Sequence, residues 1–241
     1  MSIPITLHLN HDGDTGVEAW CSTYLGFVTW AEDRSQVLGR LADRIEWYRS
    51  WRLDHMLPLV YEPTGPFEVT EEIKESEGLF AYDKTPVTVN QIDLTIKLLT
   101  ASRNDLIATL DSTPAAVLDW DPPYQRFATW ADWRTIRANL AHIANAETQY
   151  YCRVLGHQPQ ASPVDAQDNW REFLPRTRRE TLSFLSTLKA SNDLLRSTCS
   201  DQGYGSECWT VGKALRRLVS HELTHWKSIV RITAVYRERS R

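Results

Sequence analysis

At 241 residues with a formal charge of −4 and a pI near 6.0, the chain can bury a sizeable core in one large domain or two small ones. The mildly acidic balance gives no electrostatic case for a nucleic-acid partner. Met1 to Asn10 hold no basic segment followed by a long apolar run, so neither a signal peptide nor a membrane span is expected, and the cytoplasm is the expected location.

From the N-terminus, Ile3 to Leu9 and Val17 to Trp30 alternate or run apolar and β-branched, interrupted by His11 to Asp14 and by Gly26, which predicts two strands. Asp33 or Ser35 then caps a helix through about His55, with Val37, Leu38, Leu41, Ile45 and Tyr48 at helical spacing. Pro58, Pro63, Gly65 and Pro66 end it, Phe67 to Ile73 form a last strand, and Lys74 to Pro86 reads as a linker. Beyond Val87 the pattern is helical. The predicted helices are Thr88 to Leu110, Asp132 to Leu155 closed by Gly156, Pro175 to Thr198, and Thr210 to Glu238. The expected class is α+β: a small β-β-α-β domain over residues 1–83, then a four-helix bundle of the up-down type over 84–241.

Cys21, Cys152, Cys199 and Cys208 have no CxxC spacing. That fits a reducing compartment, argues against a cysteine-built zinc site, and leaves them as small core or loop residues. The ten tryptophans read mainly as packing, although Trp130, Trp133 and Trp226, with Tyr150 and Tyr151, are candidates to line a pocket.

The last helix carries His221-Glu222-Leu223-Thr224-His225, an HExxH string. Spacing of i and i+4 sets both imidazoles on one helix face, about 6 Å apart along the axis and close enough to share one metal ion. A protease of this motif needs a third ligand downstream, and after His225 the only carboxylate side chain is Glu238, about 20 Å away at the helical rise. The third ligand is therefore expected upstream. Of the other histidines, His8, His11 and His55 belong to the N-terminal unit and His157 to a loop, which leaves His142 inside the second bundle helix. The expected metal site is His142, His221 and His225. On a 100° wheel His142 lies roughly 120° from the mean direction of Ile136, Leu140 and Ile143, so the second helix must be buried on two sides for it to reach an ion.

The segment Thr135 to Glu147, with His142 and Glu147, resembles the second helix of the DinB/YfiT-like metalloprotein superfamily, and Trp209 to Leu215 with His221 and His225 is similar to its last helix. The resemblance covers about residues 88–236. It implies a bundle holding a divalent metal on three histidines, usually with water completing the shell. It further implies a transferase or isomerase using a low-molecular-weight thiol, as members with known activity often are, while many others have no assigned reaction. From the metal site itself, a hydrolase using metal-bound water on a small-molecule substrate is the other form an enzyme would take. With two strands, a helix and a strand in that order, and Gly26-Phe27-Val28-Thr29 leading into Ala31-Glu32-Asp33, the N-terminal unit resembles HicB-like antitoxin domains, with dimerisation into a homodimer, ligand sensing or mere packing as its expected roles.

Zinc is the first expectation for the ion, with nickel, iron or manganese as the other candidates; three imidazoles suit nickel, iron or copper as well as zinc, so the ligands do not name the metal. Glu222 sits on the inward face, where a bare carboxylate is costly; it is a candidate catalytic base, an orienting group, or the partner of Arg216 or Arg217. Glu147 reads as a salt-bridge residue. Arg176, Arg178, Arg179 and Glu180 read as a solvated face, or else as a basic rim for an anionic thiol. Two readings stand beside the enzyme: a non-catalytic, stress-associated bundle stapled by its metal, and, more remotely, the HExxH metalloprotease.

Overall fold

The computed structural model describes residues 2–9, 16–57, 65–74, 78–124, 131–191, 197–200 and 207–240. Two compact units divide the chain: Met1–Leu98 with Leu194–Ser220, and Leu99–Asp193 with His221–Arg241.

The first unit is built on a four-stranded sheet: β1 (Ile3–Leu9), β2 (Val17–Cys21), β3 (Val28–Ala31) and β4 (Phe67–Ile73), in the order β3-β2-β1-β4. β2 pairs antiparallel with both β1 and β3, and β4 runs parallel to β1. β1 is an inner strand buried on both faces, with Ile3, Ile5 and Leu7 on one and Thr6 and His8 on the other. That is why it reads as a near-continuous apolar run. Val17 to Trp30, expected as one strand, is two, because the chain reverses between Cys21 and Val28. Gly26 makes the reversal possible with φ +82°. A β-carbon at Gly26 would also stand 2.3 Å from Cγ1 of Val219. Gly26→Ala is therefore expected to cost roughly 2–3 kcal/mol through backbone strain and overpacking; an unchanged urea midpoint would contradict this.

The predicted single helix after β3 is also two, α1 (Arg34–Gly39) and α2 (Leu41–Asp54). Asp33 is the N-cap, its Oδ1 accepting from the Gln36 amide at 2.8 Å. At the break the Arg40 amide bonds back to the carbonyls of Gln36 and Val37, and its guanidinium donates to the Trp30 carbonyl. Within the stretch 74–86, expected as a linker, the described residues 78–86 hold buried Phe80 and Asp83. Both carboxylate oxygens of Asp83 accept from Arg216, at 2.6 and 3.1 Å, and the guanidinium lies 3.9 Å from the Phe80 ring centroid. A buried ion pair covered by an aromatic ring anchors this stretch instead of leaving it a spacer.

The first unit also contains the hairpin of β5 (Ser197–Ser200) and β6 (Glu207–Thr210), whose register sets Cys199 opposite Cys208. Cys208 is disulfide-bonded. Cysteines that look scattered along the chain become neighbours when a hairpin folds. Pro58, Pro63, His11 and Trp130 lie outside the described residues.

The second unit draws on four helical segments: α3 (Val89–Asp111), α4 (Ile136–Asn145), α5 (Trp170–Ser191) and α6 (Val211–Arg239). Leu106 and Leu110 from α3, Ile136, Leu140 and Ile143 from α4, Phe173 and Leu174 from α5, and Ile229 and Ile232 from α6 share one core. This is a four-helix bundle core, as the periodicity predicts. α5 starts five residues before Pro175, since Asn169 Oδ1 accepts from the Arg171 amide and Asn169's carbonyl from Glu172 and Phe173. Its expected end at Thr198 is overturned by β5. α4 does not continue as an α-helix: residues Ala146–Cys152 form a π-helical segment and Arg153–Leu155 a 3-10 turn, capped by Gly156 at φ +91°. No helix among the described residues is long and apolar enough to cross a membrane.

Candidate metal centre

Every residue of the α6 stripe Val211, Leu215, Leu218, Glu222, His225 and Ile229 is buried, so the HExxH face points inward as its periodicity requires. α4 meets the condition that the wheel sets for His142. Ile136, Leu140, Ile143 and Ala144 are buried in the core, while Asn139, on another side of the helix, is buried as well at 2 % exposure. Thr135 starts α4, its Oγ1 accepting from the Ala138 amide at 3.2 Å.

His142, His221 and His225 come together: one ligand nitrogen from each lies within 4.8 Å of the others. Nε2 of His142 and Nε2 of His221 are 2.9 Å apart, and the three ring centroids are separated by 4.4–4.8 Å. Nδ1 of His225 is taken up by Oδ1 of Asn139 at 2.7 Å, which leaves Nε2 as the nitrogen it can offer. This donor set fits a divalent metal. Two imidazoles on one zinc ion at 2.0–2.1 Å place their nitrogens about 3.3 Å apart, a few tenths of an ångström from the separation of the His142–His221 pair. His225 is buried, whereas His142 and His221 are half-buried, so the cluster keeps a partly accessible side.

Aromatic rings frame the histidines. Trp133 stacks on His142 with centroids 3.6 Å apart and 15° between planes, and stands edge-on to His225 at 5.8 Å. Tyr151 meets His221 edge-on at 5.3 Å. Were the helix α throughout, Tyr151 would sit about 180° from His142; the wider π-helical turns alter that phase, and such segments are frequent at functional sites. Tyr150 packs against Tyr151, while Trp226 donates to Thr109 Oγ1 at 2.9 Å and packs, partly buried, against the core. Asn139 and Trp133 carry no motif of their own. The usable signal was position, since Asn139 lies three residues before His142 on the same helix face.

Glu222 has other partners than Arg216 or Arg217. Its Oε1 accepts from Arg103 Nε at 2.7 Å and its Oε2 from Arg178. Glu147 completes a closed set, with Oε2 accepting from Arg103 and Oε1 from Arg178, each at 2.7 Å. The remaining guanidinium nitrogens reach the carbonyls of Leu174 and Leu99. The quartet is buried, neutral in sum, and takes one member from each of α3, the π-helical segment, α5 and α6. Arg178 therefore belongs to the interior, and the expected solvated run splits: Arg176 and Arg179 are exposed, whereas Glu180 is buried and bound to His157 at 2.7 Å. Burial pushes the Glu147 carboxyl up, but the Arg178 and Arg103 guanidiniums outweigh it and hold the group below the usual carboxylate range. A depressed folded value gives stability that is complete above the unfolded pKa, about 4.3, and is lost as pH falls through the folded one. Denaturant midpoints are expected to be flat from pH 7 to 5 in this contribution and to fall at lower pH, with a shallower acid slope in Glu147→Gln.

Burial raises the thiol pKa of Cys152, with Glu147 adding to the effect, and also that of Cys21. Neither is a poised nucleophile.

The family model of the DinB superfamily matches residues 98–229, more than half of the chain. The chain belongs to the DinB superfamily. The DinB match encloses the three histidines, Asn139, Trp133 and all four members of the Arg–Glu quartet, and leaves residues 1–97 outside it. No curated protein and no solved structure matches the chain.

Proposed function

We propose that this DinB protein binds one divalent metal ion, zinc in the first place, through His142, His221 and His225, and that it is a transferase acting with a low-molecular-weight thiol on a small electrophilic substrate. The observation that carries the reading is the convergence of three imidazole nitrogens within 4.8 Å. An ion held there would supply a Lewis acid that lowers the pKa of a coordinating thiol and polarises an acceptor.

The chain's own residues support a working site over a mere staple. The four helices are already tied by the buried quartet and the shared core, so their union does not depend on a metal. The half-buried rings of His142 and His221 leave the cluster reachable from solvent, with Trp133 and Tyr151 as apolar walls that orient a ligand and limit water. Glu222 is not the base of this site, because its two oxygens serve Arg103 and Arg178; with it goes the main support for a proteolytic HExxH. The expected proton acceptor is the thiol's own solvent environment.

Protein purified without added metal is expected to carry close to one equivalent of zinc, nickel, iron or manganese. Incubation with glutathione, mycothiol or bacillithiol and a panel of electrophiles is expected to show turnover that a chelator abolishes. Bound metal with silence across the panel would favour the non-catalytic bundle; less than about half an equivalent of metal, unchanged in His142→Ala, would sink the site itself.

A further inference from the structure

We infer that Asn139 is a positioning residue that fixes the tautomer of His225, holding its Nδ1 protonated so that the ring's lone pair lies on Nε2. The inference rests on the three-histidine reading and adds to it the group that prepares the deepest ligand. It follows from which end of the Asn139 amide faces the imidazole. Nδ2 donates to the carbonyl of Trp133 at 2.7 Å and to that of Thr135 at 2.9 Å. Both acceptors are backbone oxygens that cannot donate, so they hold the NH2 on their side and turn Oδ1 toward His225. Oδ1 has no proton to give; the 2.7 Å contact with Nδ1 must therefore be an imidazole N–H donating to the amide oxygen. The opposite tautomer would set two lone pairs against each other in a place where both residues are buried, Asn139 at 2 % and His225 at 8 % exposure. A ring held in this way is oriented before any ligand arrives, and groups in this position commonly change metal affinity 10- to 100-fold.

The arrangement also gives Trp133 two tasks. Its ring stacks on His142 while its carbonyl orients Asn139, so one residue ahead of α4 sets the pose of two of the three histidines.

The decisive measurement is the histidine side-chain 15N spectrum of the full-length, metal-free protein. A protonated Nδ1 and an unprotonated Nε2 on His225, assigned by its loss in His225→Gln, are expected. A His225 that is protonated on Nε2 overturns the inference whatever the protein binds. In Asn139→Leu, which keeps volume and removes the acceptor, His225 is expected to become a mixture of tautomers, and zinc affinity by competition with a chromophoric chelator is expected to fall roughly 10- to 100-fold. An Asn139→Leu protein that folds, keeps the single tautomer and binds zinc like the parent would also overturn it. If Asn139→Leu fails to fold, the spectrum of the parent protein alone decides. A parent with the expected tautomer and no zinc affinity would refute the metal reading and leave the role of Asn139 intact, so the two failures are distinguishable.

Discussion

Glu222→Gln is expected to destabilise the protein by about 3–5 kcal/mol, a Tm lower by roughly 6–20 °C for a chain of this size. The carboxylate is 2 % exposed and accepts from two guanidinium groups that are themselves buried, Arg103 at 3 % and Arg178 at 6 %. Removing one negative charge leaves two buried cations facing the single carboxylate of Glu147, where burial makes the excess charge costly. Removing the charges together has a different consequence. Replacing all four members by apolar residues of similar volume is expected to be close to neutral, or stabilising by about 1–4 kcal/mol, because the desolvation of four ions is then avoided. Urea denaturation of the single and quadruple variants checks both statements, and the single variants are expected to be strongly non-additive. The same experiment separates a structural Glu222 from a catalytic one. A Glu222→Gln protein with parental stability and lost turnover would restore the base reading; a destabilised protein that still holds its metal supports the role argued from the geometry.

His221→Ala is expected to reduce bound metal from near one equivalent to below about 0.1, with affinity falling by more than the roughly 100-fold that loss of a supporting group can cause. His221 is half-buried and one of its ring contacts is with His142, so the metal-free variant is expected to lose far less stability than a variant of the buried quartet, which the melting temperatures of the metal-free proteins check. The contrast appears when zinc is added. A ligand at 100 times its Kd raises stability by about 2.7 kcal/mol; this shift is expected in the parent and absent in His221→Ala. Equal zinc-induced shifts in the two proteins would show that the ion binds elsewhere.

The sequence by itself determined the bundle's inventory and the triad. Helical periodicity after residue 87 marked four segments, and all four are present. The HxxxH spacing needs only the helical repeat to place His221 and His225 on one face, and the lack of a downstream ligand pointed to His142, which the fold delivers. Local chemistry was legible too: Asp33 and Gly156 do what their side chain and its absence dictate. Boundaries failed where local signals compete. Pro175 reads as a helix start, but Asn169 caps five residues' worth of helix before it; Gly26 marks an interruption in an apolar run, but the reversal that makes two strands of it needs the fold.

Only the tertiary structure decided what depends on partners distant in sequence. No pattern within α6 reveals that Glu222 will meet Arg103 and Arg178, 119 and 44 positions away, instead of neighbouring Arg216, which Asp83 occupies. Charge is not directional along a chain, so pairing follows from which helices share the interior. The π-helical segment after Asn145 was equally hidden, because its residues have no composition that distinguishes it from an α-helix, yet it alters the phase that carries Glu147 and Tyr151. Asn139 gained its meaning in the same way: an amide is an ordinary polar residue until a fold fixes one end on backbone carbonyls and turns the other to an imidazole. Periodicity determines which face of a helix is buried, and packing alone determines what that face meets.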